Sequence, residues 1–181
     1  MPEDLQKAIP QFEHAFKELG IPSYSLMGFE ADDVIGTIAV KIAAKNGKAV
    51  ILSTDRNYCQ LLNDSISIYD HFGQRYLDRD MVVQRMQVEP HQLIDLLALA
   101  GDTGLSIPGI LSIGKRTAAK LIHDHGNLSQ ILAAAEDIPG KLGSKLYSGK
   151  DDALLAHKLF TLKTDIDLGI NLKDLRYIPP N

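Results

Sequence analysis

Three carboxylates occur within four positions of the stretch GFEADDVIGTIA, at Glu30, Asp32 and Asp33. Like charges this close repel one another, so a helix N-terminus, a bound cation or solvent has to compensate them. Helix capping accounts for any one of these side chains, but three carboxylates exceed what capping needs. This acidic cluster is therefore a candidate cation site.

Two further aspartates stand where the sequence predicts that elements end. Asp55 follows the apolar run KAVILS, and Asp102 follows the apolar run HQLIDLLALAG. A single Asp in such a place is a common cap or turn residue, but α/β folds also bind ligands at the carboxyl ends of strands. Carboxylate oxygens without His or thiolate partners suit Mg²⁺ or Mn²⁺. The chemistry indicated is metal-assisted hydrolysis, with Asp32 and Asp55 as the principal ligands.

The stretch IPGILSIGKRTAAKLI, residues 107–122, is the most specific motif in the chain. Gly109 and Gly114 bracket an apolar hairpin, and the second glycine opens a helix whose first turn carries Lys115 and Arg116. Backbone N–H groups at such a helix start can approach a phosphate, and the basic side chains add attraction that is independent of sequence. The alternative interpretation is an ordinary helix-turn-helix packing element.

The acidic residues need elements that position them. An amphipathic helix is predicted over 4–19, ended by a glycine. A strand at 22–28, a helix at about 31–45 and a strand at 48–53 then form a unit whose crossover length fits a parallel sheet. The acidic cluster would lie just beyond the first strand and Asp55 just beyond the second.

The rest of the chain changes from strands to helices. ISIYD and QRYLD are predicted as two further short strands, after which the periodicity is helical. Turns rich in Gly and Pro separate the predicted helices. These helices cover roughly residues 91–100, 114–124, 127–135 and 151–163.

Charge and composition limit the function classes. The 181 residues carry 19 basic and 23 acidic side chains, a net charge of −4, which argues against a protein that coats nucleic acid non-specifically. A single cysteine excludes an internal disulfide framework and fits a reducing cytoplasm. Neither a secretory signal nor an apolar run long enough to span a membrane is present. The sequence therefore predicts a soluble cytoplasmic protein without membrane partners.

The order EADDVIGTIA, VILSTDRNYCQLL and LLALAGDTGLSIPGILSIGKRTAAKLI resembles the 5′ nuclease superfamily, which includes the flap endonucleases and the 5′-3′ exonuclease domain of bacterial DNA polymerase I. STDRNYCQLL is most similar to the exonuclease IX, or Xni, type of flap endonuclease. The resemblance covers nearly the whole chain. It implies part of a PIN-like, parallel-sheet α/β nuclease core at 1–89, then an all-helical, helix-hairpin-helix-type DNA-binding region at 90–181.

The resemblance also implies Mg²⁺- or Mn²⁺-dependent hydrolysis of DNA at 5′ ends or flaps, with branched or 5′-flap duplex as the partner and no inferable protein partner. The implied Mg²⁺ ligands are Glu30, Asp32, Asp33, Asp55 and Asp102. The implied duplex-backbone contacts are Ser112, Ile113, Gly114, Lys115, Arg116 and Thr117. Hairpin carbonyls commonly hold a K⁺ ion in this family, and the matching residues are Leu99, Ala100, Pro108, Ile110 and Ile113.

Three departures from the family pattern leave an alternative open. Asn57 and Leu105 stand where polymerase-type members have Asp, so a complete second metal site is not expected. The family's first strand, with an early Asp, and its basic arch have no counterpart in front of Met1. The leading hypothesis is a metal-dependent 5′ nuclease impaired as a truncated chain. The alternative is a non-catalytic module that binds DNA structures.

Overall fold

The computed structural model describes residues 2–179, and the chain divides into two compact units. The first unit comprises residues 1–38 and 163–181, and the second comprises residues 39–162. The division predicted at residues 89 and 90 stays a prediction. No helix among residues 2–179 is both long enough and apolar enough to cross a membrane.

Two helices begin the chain, as predicted. Helix α1 spans Glu3–Glu18, and helix α2 spans Ala31–Ala43. Gly20 ends the turn after α1 with φ +71°, a conformation that favours glycine, and a Cβ there would collide with the carbonyl of Ile178. Acidic side chains in the first turn of each helix interact favourably with the helix dipole.

The strand predicted at 22–28 is wrong, because these residues form no ladder with another strand. The alternation that suggested a strand is real, since Tyr24 and Leu26 are half-buried between exposed neighbours. Both side chains pack on a small core made by Val34, Ile166 and Leu168, and the Tyr24 hydroxyl donates to the Leu168 carbonyl. The period of two therefore reflects one-sided packing of an extended segment rather than sheet pairing.

A mixed three-stranded sheet lies in the second unit. Its strands are Ala49–Leu52 (β1), Ile66–Asp70 (β2) and Arg75–Leu77 (β3), in the order β1-β2-β3. β1 and β2 are parallel, as expected for the nuclease core, whereas β2 and β3 are antiparallel. Alternate residues of β1 are buried, so this strand is covered on one face only.

Helices make up most of the second unit. Those after β3 are Arg79–Met86 (α3), Leu93–Ala100 (α4), Lys115–His125 (α5), Leu128–Ala133 (α6), Lys141–Ser148 (α7) and Lys150–Phe160 (α8). Six of the eight residues of α4 are buried, and this central helix packs mainly against α5 and α8. Two two-residue strands, β4 (Gly101–Asp102) and β5 (Ile107–Pro108), interrupt the part predicted as all-helical.

The sequence did not predict α3 and α7, and each has a physical reason. α7 contains Gly143, which weakens an isolated helix, but a Cβ there would collide with the carbonyls of Ala135 and Ile138. Close backbone packing therefore both requires this glycine and stabilises the helix. α3 is short and weakly patterned, and Asp78 caps it by accepting a hydrogen bond from the backbone N–H of Met81.

A half-buried carboxylate ties three of these helices together and gives a first testable prediction. Asp95 of α4 accepts a hydrogen bond from the backbone N–H of Leu128 and lies 3.4 Å from Nε2 of His157. Burial raises the pKa of Asp95, although the Leu128 N–H and His157 lower it in part. Its stabilising contribution is thus fully present below the unfolded pKa of about 3.9 and is lost as pH rises through the folded pKa.

Asp95→Asn, which is neutral at every pH, should therefore gain stability relative to wild type as pH rises above about 4. Urea denaturation at a series of pH values measures this difference. Asp124→Asn is the matched control with the opposite sign, because hydrogen bonds from Lys120 and His123 lower the pKa of Asp124. An Asp95→Asn difference that stays constant with pH would contradict the assignment.

Candidate active site and nucleic-acid interface

The acidic cluster lies at the start of α2, in the first unit. Glu30 directly precedes the helix and accepts a hydrogen bond from the Val34 N–H through its carbonyl, while Asp32 and Asp33 stand in the first turn. Glu30 is exposed, and the two aspartates are half-buried. Oδ1 of Asp33 accepts a hydrogen bond of 2.8 Å from the backbone N–H of Lys163. One of the three carboxylates therefore also has a structural role.

Asp55 follows β1 and caps the 3₁₀ helix Arg56–Leu61 in the second unit. Its Oδ1 accepts a hydrogen bond of 2.7 Å from the Asn57 N–H, and its own N–H donates to Oγ of Ser53 at 3.0 Å. The capping role that the sequence left open for this residue is thus present. Capping uses one oxygen of the carboxylate, and a cation can still bind the other.

Asp102, at the end of β4, opens the turn toward β5 in a similar way. Its Oδ1 accepts hydrogen bonds from the N–H groups of Gly104, at 2.8 Å, and Leu105, at 3.2 Å. Asp55 and Asp102 line a single cleft of about 290 Å³ together with the basic residues Arg56 and Lys115. The structure therefore brings together four charged residues that are up to sixty positions apart in the sequence, and we name this place the carboxylate cleft.

The composition of these two places fits a divalent cation. Within residues 2–179, no group of three or more His, Cys, Asp or Glu side chains is already arranged to hold a metal ion. Carboxylate oxygens are nevertheless the donors that Mg²⁺ and Mn²⁺ prefer, and Mg²⁺ keeps several waters in its shell. The acidic cluster belongs to the first unit and the carboxylate cleft to the second. The shared ion at Asp32 and Asp55 stays a prediction.

The predicted hairpin begins at Gly109, where close backbone contacts allow only glycine. β4 pairs with β5, so that Gly101 faces Pro108, and the Ile110 N–H donates to the Leu99 carbonyl at 2.9 Å. A Cβ at Gly109 would collide with the backbone of residues 99–101. This close approach holds the end of α4 against the segment that leads into α5.

The tip of the hairpin separates apolar from polar side chains. Ile110 and Ile113 are each 3% exposed, whereas Ser112, in the left-handed region with φ +62°, is exposed. Gly114 is the N-cap of α5 and offers no side-chain cap, so the first N–H groups of the helix are not capped from that residue. Lys115 and Arg116 of the first turn are exposed. The uncapped N–H groups and the basic side chains at the start of α5 are therefore suited to binding an anion such as a phosphate.

The carbonyls implied for K⁺ belong to the hairpin and to the two elements next to it. Leu99 and Ala100 end α4, Pro108 is in β5, and Ile110 and Ile113 follow it. The carbonyls of Leu99 and Ile110 each accept one backbone hydrogen bond, at 2.9 Å, from Ile110 and Ile113 respectively. A carbonyl oxygen has two lone pairs, so a cation can share it with a donor.

The basic character of α5 weakens after its first turn. Nζ of Lys120 lies 2.6 Å from a carboxylate oxygen of Asp124, and His123 lies 3.3 Å from the other oxygen. Lys120 is therefore partly neutralised. Lys115 and Arg116 remain the principal candidate cations of this helix.

Comparison with known proteins assigns the chain to a family. A model described as the 5′-3′ exonuclease N-terminal resolvase-like domain matches residues 1–87, and one described as the 5′-3′ exonuclease C-terminal SAM fold matches residues 88–181. The chain therefore belongs to the 5′-3′ exonuclease family. The fold class predicted from the sequence, an α/β part followed by a helical part, is confirmed.

Individual relatives indicate more closely which class of nuclease the chain resembles. Flap endonuclease Xni of Cronobacter sakazakii is 41% identical over 176 residues, which cover 97% of this chain and 70% of that protein. Among solved structures, a mutant of the T5 5′-exonuclease has a TM-score of 0.75 at 26% identity, over 86% of this chain and 65% of that one. The predicted resemblance to Xni-type nucleases is confirmed, and the function supported is that of a 5′-3′ exonuclease or flap endonuclease.

A second T5 structure includes ligands. The bacteriophage T5 flap endonuclease in a pseudo-enzyme-product complex with DNA and metal ions has a TM-score of 0.72 at 25% identity. The match covers 91% of this chain and 63% of that chain. This chain thus spans slightly less than two thirds of the T5 chains that it resembles. The non-catalytic alternative has no better support among these matches.

Proposed function

We propose that the protein hydrolyses DNA phosphodiesters at 5′ ends or flaps with Mg²⁺ or Mn²⁺. The observation that carries this proposal is the carboxylate cleft, in which Asp55, Asp102 and the exposed Lys115 line one space. Carboxylates suit a divalent ion, and a lysine beside them suits the phosphate that the ion would attract. The similarity to the T5 flap endonuclease in complex with DNA and metal ions supports the proposal that this protein binds both a divalent metal ion and DNA.

The roles of the individual acids follow from their surroundings. Asp32 and Asp55 are proposed as principal metal ligands, with Glu30, Asp33 and Asp102 as supporting ligands, many of them through water. A divalent ion, when bound, activates water and neutralises charge on the phosphodiester. Asp55 and Asp102 are each held in one orientation by backbone N–H groups. This fixed orientation presents the carboxylates without further rearrangement.

The hairpin is proposed to bind the duplex backbone without reading its sequence. Main-chain N–H groups over residues 112–117 and the side chains of Lys115 and Arg116 would contact phosphates, which carry no sequence information. K⁺ bound by the hairpin carbonyls would hold this loop in place. Branched or 5′-flap duplex is the proposed substrate, and the cytoplasm, where bacterial DNA and reduced thiols occur, is the proposed location.

A labelled 5′-flap duplex and a matching unbranched duplex test this proposal. We expect cleavage of the flap with Mg²⁺ or Mn²⁺ and none with chelator, because the cleft acids alone do not supply the positive charge that the reaction needs. Cleavage that persists in chelator would contradict the metal requirement. Tight, structure-selective binding without cleavage under any metal condition would establish the non-catalytic module instead.

A further inference from the structure

Lys163 is fixed to α2 and to the segment just before it by three contacts within the first unit. Its backbone N–H donates to Oδ1 of Asp33 at 2.8 Å, and its carbonyl accepts a hydrogen bond of 3.2 Å from the hydroxyl of Thr37, which is fully buried. Its Nζ lies over the ring of Phe29, 5.6 Å from the centroid. The backbone and the ammonium of this exposed lysine are thus both located relative to the acidic cluster.

The nature of the third contact leaves the ammonium able to bind an anion. A ring attracts a cation through its face but accepts no conventional hydrogen bond, whereas an ammonium has three N–H donors. Phe29 is itself 42% exposed and immediately precedes Glu30. The ring therefore holds a solvent-accessible positive charge beside the helix start that carries the acidic cluster.

We infer that Lys163 contacts a phosphate of the DNA at the acidic cluster and that Asp33 positions it. This inference rests on the proposed nuclease function. A cluster of carboxylates repels a phosphodiester, so a fixed cation at its border lowers the electrostatic cost of bringing the strand to the metal ligands. Asp33 connects Lys163 to the acidic cluster, since it is a member of the cluster and its carboxylate accepts a hydrogen bond from the Lys163 backbone N–H.

Binding of a 5′-flap duplex in chelator, over a series of KCl concentrations, tests the phosphate contact. Removing one phosphate contact should reduce the slope of log K against log salt by about 0.9. We expect this reduction for Lys163→Ala and a near-normal slope for Lys163→Arg. Lys45→Ala is the matched control, because Lys45 is also exposed but follows the opposite end of α2.

Two variants of Asp33 separate positioning from charge. Asparagine retains an Oδ1 that accepts the Lys163 N–H, whereas alanine does not. Asp33→Asn should therefore keep the wild-type salt slope in chelator, and Asp33→Ala should resemble Lys163→Ala. Equal slopes for Asp33→Ala and wild type would contradict the positioning role.

Mn²⁺ titration excludes the simplest other role of the lysine. If Lys163 only neutralised the acids, Lys163→Ala would bind Mn²⁺ more tightly than wild type and keep the wild-type salt slope, which would overturn the inference. If wild type binds and cleaves DNA but Lys163→Ala has the wild-type salt slope, the inference about Lys163 is wrong and the proposed function stands. Wild type that neither binds nor cleaves DNA would overturn the proposed function and this inference with it.

Discussion

Replacing Asp55 by asparagine is expected to slow metal-dependent flap cleavage by about 10²- to 10³-fold, the usual loss for one positioned electrostatic group. Asparagine keeps an Oδ1 that can accept the hydrogen bond from the Asn57 N–H, so the 3₁₀ helix stays capped. The substitution removes only the negative charge that a divalent ion needs. Single-turnover cleavage of a labelled flap measures the effect.

The same substitution at Asp32 should have a comparable effect and also weaken Mn²⁺ binding, since both residues are proposed as principal ligands. Asp64→Asn is a suitable control, because Asp64 is an exposed aspartate of the second unit outside the carboxylate cleft. Its cleavage rate and Mn²⁺ affinity should equal those of wild type. If Asp32→Asn and Asp55→Asn also matched wild type in both measurements, neither residue would be a metal ligand.

Local patterns explain why much of the fold was predictable. α2 has acids in its first turn, a continuous apolar pattern and the Asn46-Gly47 turn after it, and each of these signals depends on neighbours in the sequence. The parallel pairing that the sequence predicted joined the segments 22–28 and 48–53, whereas β1 pairs in parallel with β2 instead. Gly109 was predicted as part of the hairpin, and the structure adds the close backbone contact that requires it.

Features that depend on distant residues were not predictable in this way. The segment 22–28 alternates like a strand, but whether it pairs depends on the position of another strand. Gly143 indicated a turn until its backbone contacts in α7 were known. The hydrogen bond between Asp33 and Lys163 joins residues 130 positions apart, and no local signal in either segment predicts it.

Lys115 illustrates the same limit within the candidate site. Its position after Gly114 predicted a contact with the duplex backbone, as for its neighbour Arg116. The structure also places Lys115, but not Arg116, on the lining of the carboxylate cleft. Arg116 instead lines a separate surface hollow with Thr117 and Lys120. Two adjacent basic residues of one helix turn therefore face different parts of the proposed substrate.

Removing both charges by Lys115→Ala and Arg116→Ala should weaken duplex binding and reduce the salt slope by about 1.8, or 0.9 for each phosphate that the protein no longer neutralises. The effect should be the same for duplexes of unrelated sequence, because backbone contacts carry no sequence information. Lys141→Ala with Lys150→Ala is the matched double control, since both lysines are exposed and lie outside the hairpin. Fluorescence anisotropy across a salt series measures both quantities.

The single variants should then separate binding from cleavage. Because Lys115 shares the cleft with Asp55 and Asp102, Lys115→Ala should lower the single-turnover cleavage rate even at saturating DNA. Arg116→Ala should lower affinity and leave that rate nearly unchanged.

Replacing K⁺ by a large organic cation should weaken the binding of every variant if the hairpin carbonyls hold the ion. Equal cleavage rates for the two single variants at saturation would show that Lys115 acts only in duplex binding, and a double variant with the wild-type salt slope would remove the hairpin from the DNA interface.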